Sequence, residues 1–291
     1  MNHLVEVAPT LGARLGACDL CPMECGVNRN DGGRGRCGVG VLAPVCSFGP
    51  HHGEEEVLVG RGGSGTIFFS GCNLSCLFCQ NHDISQSVVG EEFDPEALAA
   101  LALRLERQGC ENVNFVSPTH VVHVVAEAVD RARMGGLGVP VVFNCGGYES
   151  VDVLEILEGR VDIYMPDFKW ADADAGERFS GAPDYPRVAE DALREMYGQV
   201  GPLQVADDGV ARRGVLVRHL VMPGDLSSSQ EVVRIVARAA PGAAINVMGQ
   251  YRPAYRASRY PALRRGVGWA RLRELRRTAA DAGLRRVDGG Q

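Results

Sequence analysis

The chain has 291 residues, 45% of them hydrophobic and 23% charged, with a formal net charge of −6. That is enough for one sizeable core and a small appended module. No apolar run reaches the roughly 18 residues of a membrane helix, and the acidic balance argues against nucleic acid as a partner. The N-terminus lacks a basic stretch followed by a long apolar one, so the expectation is a cytoplasmic chain without a secretory leader. Ten cysteines in such a chain point to metal or redox chemistry rather than a disulfide framework.

Along the chain, residues 17–63 are rich in Gly and Cys with little periodicity, and they read as a loop-dominated module. "GRGGSG" (60–65) is a connector or a turn into the first strand. It is not a phosphate-binding loop, because no G-K-[ST] follows. From residue 65 a β/α alternation sets in. Strands are expected at 65–70, 112–116, 139–144, 161–166, 214–222 and 243–249, and helices at 94–109, 120–133, 150–158, 185–199, 228–239 and 269–282. The first helix carries the clearest signals, with Asp94 as cap, Pro95 at its first position and Gly109 at its end. Short apolar strands separated by helices describe a buried parallel sheet. No G-x-G-x-x-G follows the first strand, which disfavours a dinucleotide fold. The expected class is α/β, a partial (β/α)6 TIM-like barrel. The expected domains are a cysteine-rich metal-binding extension (1–62), the barrel (63–256) and an arginine-rich C-terminal helix or tail (257–291), read first as a solvated helical face.

Polar residues gather just past the C-terminal ends of these strands, where barrel folds build their sites. They are Ser117, Thr119 and His120 after the second strand and Asn144 and Cys145 at the third. Asp167 and Lys169 follow the fourth, Arg218 and His219 sit on the fifth, and Asn246, Met248 and Gln250 sit at the sixth. Lys169 is the only lysine among 29 arginines, so a compact ammonium is expected to be needed there.

The loop after the first strand reads "SGCNLSCLFCQN" and places Cys72, Cys76 and Cys79 at C-x3-C-x2-C. Thiolates at this spacing bind soft metals or iron–sulfur clusters. Three ligands suit a cluster with one open iron better than a four-coordinate structural zinc. This motif, with Phe78 before the third cysteine, resembles the radical S-adenosylmethionine (SAM) superfamily. "DIYMPDFKW" and "VRHLVMPG" resemble the pyruvate formate-lyase activating enzyme and its relatives.

The resemblance implies a [4Fe–4S] cluster on Cys72, Cys76 and Cys79, with SAM chelating the open iron. Reductive cleavage would then give a 5′-deoxyadenosyl radical that abstracts hydrogen. It further implies Phe78 at adenine, Asp167 and Lys169 at the methionyl end, Arg218 at ribose or carboxylate, and a flavodoxin- or ferredoxin-type electron donor. It leaves room for a monovalent cation at Asn144, Cys145, Met165 and Asp167, although Asn144 stands where an Asp is expected. The family's G-G-E stretch is replaced by "SPTH", so Ser117, Thr119 or His120 would meet the SAM amino group, unless His120 is instead catalytic or a helix cap. The substrate is expected to be a protein or peptide, including a glycyl-radical enzyme to be activated. A small-molecule metabolite is the alternative.

Cys18, Cys21, Cys25 and Cys37 form a further C-x2-C-x3-C-x11-C set. A module without apolar periodicity needs a metal to fold. The spacing and the glycines favour a second [4Fe–4S] cluster, with zinc as competitor. Cys110 is expected to be a small buried hydrophobe.

Overall fold

The computed structural model describes residues 7–287. Its strands are β1 (Ala43–His51), β2 (Ser64–Phe69), β3 (Glu91–Phe93), β4 (Val113–Val116), β5 (Val141–Cys145), β6 (Ile163–Pro166), β7 (Gln204–Val205), β8 (Ala211–Leu220), β9 (Ala244–Met248) and β10 (Arg285–Arg286). They lie in the order β10-β9-β8-β6-β5-β4-β2-β1-β3, with β7 paired to β8. The six strands expected from sequence are β2, β4, β5, β6, β8 and β9, and every pairing among them is parallel. The architecture is the expected α/β partial barrel.

Each strand-to-strand crossover is made by helix on the outer face. The helix Pro95–Arg107 starts where the Asp94 carboxylate accepts the Ala97 N–H at 2.8 Å, a cap that contributes about 1 kcal/mol. It buries Leu98, Leu101 and Leu105 against Val113 and Phe115. On the far side of the sheet, Val188, Leu193, Val232 and Val236 cover Tyr164, Val215 and Val217. Cys110 is buried in the first of these cores, as expected.

The inner face alternates with the strand period of two. The register sets Val142 opposite Ile163, Asn144 opposite Met165, Leu216 opposite Ala244 and Arg218 opposite Asn246. On β5, β6 and β8 the lower layers are apolar and are sealed by Leu58, from the short helix Glu56–Val59, which packs with Val142, Ile163 and Leu216. Asn112 fixes this plug by donating its amide to the Leu58 carbonyl at 2.7 Å. β2 and β4 are polar at the same depth, where Asn114 stands opposite Thr66 and Val142 and donates to Ser64 Oγ at 3.2 Å.

Two expected boundaries cut across continuous structure. β1 lies inside the span assigned to the cysteine-rich extension, yet it pairs antiparallel with β2 from Val45 to His51. Its signal is weak because it is interrupted by Gly and Pro, carries a bulge between Val45 and Ser47, and is buried at one end only. At the other end, the helix Trp269–Asp281 buries Leu272, Leu275 and Ala279 in the main core, and β10 extends the sheet beside β9. The arginines there are the polar face of a packed helix. Residues 18–42 hold no strand or α-helix. They are held by turns such as Cys18 N–H to Val27 O at 2.9 Å, and by Leu15 and Leu20 in the main core. Among the described residues no helix is long and apolar enough to cross a membrane.

Candidate active site

The loop 70–81 leaves β2 and is tied down on three sides. Gly71 N–H donates to Ile84 O, Ser75 and Leu77 N–H donate to the carbonyls of Ser180 and Phe179, and Leu77 O receives Arg256 N–H. Cys72, Cys76 and Cys79 thereby line one cavity of about 150 Å3 at the C-terminal mouth. Each thiol has a local partner: Leu74 N–H on Cys72 at 3.4 Å, Ser180 Oγ by Cys76 at 3.1 Å and Ser85 Oγ by Cys79 at 3.2 Å. Burial pushes the Cys72 thiol up to about 12, with the nearby Cys76 adding to it. Burial raises the Cys76 thiol in the same sense, so a metal binding to this pair would displace their protons.

A second cavity, of about 230 Å3, adjoins the first and shares Cys76, Cys79, Asp167, Lys169 and Arg218 with it. At this seam the Lys169 ammonium lies 2.5 Å from Asp167 Oδ2, and Arg218 Nε lies 3.0 Å from Asp167 Oδ1. Burial works against the Lys169 ammonium, but the Asp167 carboxylate outweighs it and holds its pKa above the usual lysine value. Burial likewise opposes ionisation of Asp167, and its two cationic neighbours outweigh that and keep it an anion. Phe78 stands edge-on to Trp170 at 5.5 Å and lines the outer cavity with Met248 and Gln250. Ser117, held at a positive φ of 59°, lines the inner one with Thr119 and Asn144.

Three comparisons bear on what this mouth belongs to. Residues 66–196 match the family model described as the radical SAM superfamily. The chain is 33% identical over 263 residues to an uncharacterized protein of Methanocaldococcus jannaschii, covering 88% of this chain and 72% of that one. The chain belongs to the radical SAM superfamily. It is also 27% identical over 198 residues to the pyruvate formate-lyase-activating enzyme of Clostridium pasteurianum, covering 64% of this chain and 74% of the relative. Among solved structures it is similar to the [FeFe]-hydrogenase maturase HydG, with a TM-score of 0.48 and 14% identity over 75% of this chain and 49% of that chain. Radical SAM membership makes the chain an enzyme and implies SAM and a [4Fe–4S] cluster as cofactors.

The residues fit that pair. Three thiols line one cavity. The adjoining space carries one ammonium, one guanidinium and an aromatic face.

Several residues expected at a radical SAM site stand elsewhere. His219 follows inward-facing Arg218, so the strand period turns it outward. It is fully buried, with Nδ1 on Phe168 O at 2.7 Å and Nε2 on Ser229 Oγ at 2.9 Å. Asn246 points inward but gives its amide to the Glu55 carboxylate at 2.8 and 3.0 Å, beneath the cavity. His120 lies behind the cysteine loop, buried, with Nε2 on Ser70 O at 2.9 Å. The residues proposed for a monovalent cation are engaged: Asn144 Oδ1 accepts Arg218 at 2.8 Å, and both Asp167 oxygens face cations. Thr119 donates its hydroxyl to Glu149 at 2.9 Å.

Glu149 and the Glu54–Glu55 pair are missed by sequence reasoning. Burial raises Glu149 to about 8, against hydrogen bonds from Thr119 and Cys145, and Glu54 lies 3.8 Å from Arg218. Only the "GGYE" after the third strand and the acidic run "GEEE" could have drawn notice.

Of the N-terminal cysteines, Cys18, Cys21 and Cys37 are buried and Cys25 is half-buried, with Arg36 N–H on its sulfur at 3.4 Å.

Proposed function

We propose that Cys72, Cys76 and Cys79 hold the [4Fe–4S] cluster and that the mouth above them binds SAM to take a hydrogen atom from a protein or peptide substrate. The observation carrying this reading is the convergence of three thiols with Asp167, Lys169 and Arg218 on one opening. When bound, the cluster and SAM supply one-electron cleavage of the S–C5′ bond and a hydrogen-abstracting 5′-deoxyadenosyl group. The chain's own residues place that chemistry. Lys169 takes the SAM carboxylate, with Asp167 as the anion it exchanges for it. Phe78 covers the adenine, and Arg218, braced by Asn144 and Asp167, reaches the ribose. Ser117 and its neighbouring carbonyls meet the amino group, since the Thr119 hydroxyl is committed to Glu149. The buried walls keep water from the reactive carbon.

A protein substrate is supported by the rim. Tyr255 stacks on His82 at 5.0 Å, Arg256 lies over Tyr255, and Gln80 and Gln250 flank the opening. The similarity to an activating enzyme points the same way, and a flavodoxin- or ferredoxin-type protein is the proposed electron source. Cys18, Cys21, Cys25 and Cys37 are read as a second metal site.

The test is anaerobic reconstitution followed by reduction with SAM present. Release of 5′-deoxyadenosine and methionine is expected, together with a glycyl radical signal on a co-incubated glycyl-radical enzyme. No SAM cleavage would sink the reading. Cleavage stimulated only by a small metabolite would move the substrate to the small-molecule class.

A further inference from the structure

The segment "CGGYE" (145–149) leaves β5 and ties three parts of the mouth together. Asn73, buried between Cys72 and Leu74, donates its amide to the Tyr148 carbonyl at 2.8 Å. Asp167 N–H donates to the Cys145 carbonyl at 2.9 Å. The Tyr185 hydroxyl lies 2.9 Å from the carbonyls of Gly146 and Asp167 and accepts Lys169 N–H at 2.9 Å. A Cβ on Gly147, whose φ is +77°, would fall 2.1 Å from the Asp167 carbonyl oxygen. Glycine there is what lets the two backbones lie so close.

The third part is the turn 117–120, and Glu149 holds it. Glu149 is 4% exposed and lines neither cavity. Its carboxyl accepts the Thr119 hydroxyl at 2.9 Å. Thr119 and Ser117 do line the inner cavity. Ser117 has a φ of +59°, a left-handed conformation that a residue with a Cβ keeps only where its surroundings impose it. Three contacts impose it here. Ser117 N–H donates to the Asn144 carbonyl at 2.8 Å, His120 Nε2 lies 2.9 Å from the Ser70 carbonyl, and Thr119 is held by Glu149. Two of these holders are backbone carbonyls. Glu149 is the side chain among them.

We propose that Glu149 is a positioning residue for SAM: acting through Thr119, it sets the turn so that Ser117 and its neighbouring carbonyls meet the SAM amino group. This rests on the function proposed above, because it needs SAM at Ser117. The turn lacks the G-G-E sequence expected of the superfamily, and the carboxyl that orders it comes instead from the next strand end. The amino group then depends on Glu149 while the carboxylate depends on Lys169, so the two ends of the methionyl group can be lost separately.

The experiment titrates two ligands into cluster-loaded protein: SAM, and the analogue of SAM that lacks the amino group. Glu149→Leu should weaken SAM binding roughly tenfold and leave the deamino analogue within about twofold. Glu149→Gln keeps an oxygen for the Thr119 hydroxyl and should bring SAM binding back to within about threefold of the natural chain. Lys169→Ala should weaken both ligands alike, since both keep the carboxylate. Equal losses for the two ligands in Glu149→Leu, or no loss for either, overturn the proposal.

The route through Thr119 is tested by a cycle. Thr119→Val should reproduce the loss of SAM affinity, and Glu149→Leu/Thr119→Val should add nothing to it. Losses that multiply overturn the route. If Glu149→Leu does not fold, Thr119→Val carries the comparison of the two ligands, with Thr119→Ser as the rescue. A natural chain that binds no SAM overturns the function reading itself. A natural chain that binds SAM, with a Glu149→Leu variant blind to the amino group's absence, overturns this inference alone.

Discussion

Lys169 beside Cys76 and Arg29 beside Cys37 are compensated differently. Lys169, beside Cys76, already faces the Asp167 carboxylate at 2.5 Å. Arg29, on Cys37, faces only carbonyl oxygens and a sulfur. A cation with a built-in anion can exchange it for a visiting carboxylate and be neutral again when the visitor leaves. The first arrangement suits a substrate-exchanging mouth, whereas Arg29 ties the Gly40 and His120 carbonyls together as a fixed strut. The scaffolds differ too: the loop 70–81 hangs from a strand of the sheet, whereas residues 18–42 have only turns and two buried aliphatic side chains, Leu20 and Val39.

The largest expected effect falls on the first set. Cys72→Ala/Cys76→Ala/Cys79→Ala should abolish SAM cleavage, a loss beyond roughly 10^3-fold, measured as 5′-deoxyadenosine released. Its melting temperature should move less than that of a variant with Cys18, Cys21, Cys25 and Cys37 all changed to Ser. The reverse order would break the comparison.

Next is Lys169→Ala. A charge-assisted contact in a partly dry site is worth ~1.5–3 kcal/mol. SAM binding to cluster-loaded protein should therefore weaken roughly ten- to a hundredfold, as read by titration. Lys169→Arg should rescue only in part, because the planar fork reaches further than the ammonium.

Gly71→Ala acts on the joint between the sets. The added Cβ meets the Cys37 carbonyl at an unfavourable φ. Stability should fall by about 1–3 kcal/mol, seen as a lower denaturation midpoint. An unchanged midpoint would mean that the two segments do not press on each other.

The smallest effect on the site is expected at His219. His219→Asn should leave SAM affinity within about twofold, since the ring faces away from the mouth. Its signature is in acid. Burial lowers the folded pKa of His219 to about 4, against the raising effect of the Phe168 carbonyl. The unfolded chain therefore binds a proton near pH 6.5 that the folded chain refuses until about pH 4. That contribution is present above about pH 6.5 and is lost as pH falls toward 4. The variant should show a flatter stability curve over this window, and an unaltered slope would mean that another group carries it.

The fold was legible where burial is simple. Six strands buried on both faces leave apolar runs, and helices such as Pro95–Arg107 announce their caps. β1 was not legible, because a bulge and one-sided burial remove the pattern. At the site, the cysteine spacing and the D-x-K segment placed Cys72, Cys76, Cys79, Asp167 and Lys169 on one mouth. His219 was misplaced because a strand end lists neighbours without saying which face each one takes. Asn246 was misplaced by one layer of depth. Arg29, Glu55 and Glu149 carry no motif at all. Their part depends on which distant backbone folds against them, and one sequence does not state that.

The plug at Leu58 has a consequence for the order of events. With the barrel closed from below by Leu58 and the Glu54–Glu55 segment, the outer cavity opens past Gln80, Asn81 and Gln250. Under the function proposed above, cofactor and substrate would share that opening. A protein substrate seated on the rim would bar SAM from entering and its fragments from leaving. Turnover would run as a queue: SAM first, substrate second, substrate out before methionine and 5′-deoxyadenosine.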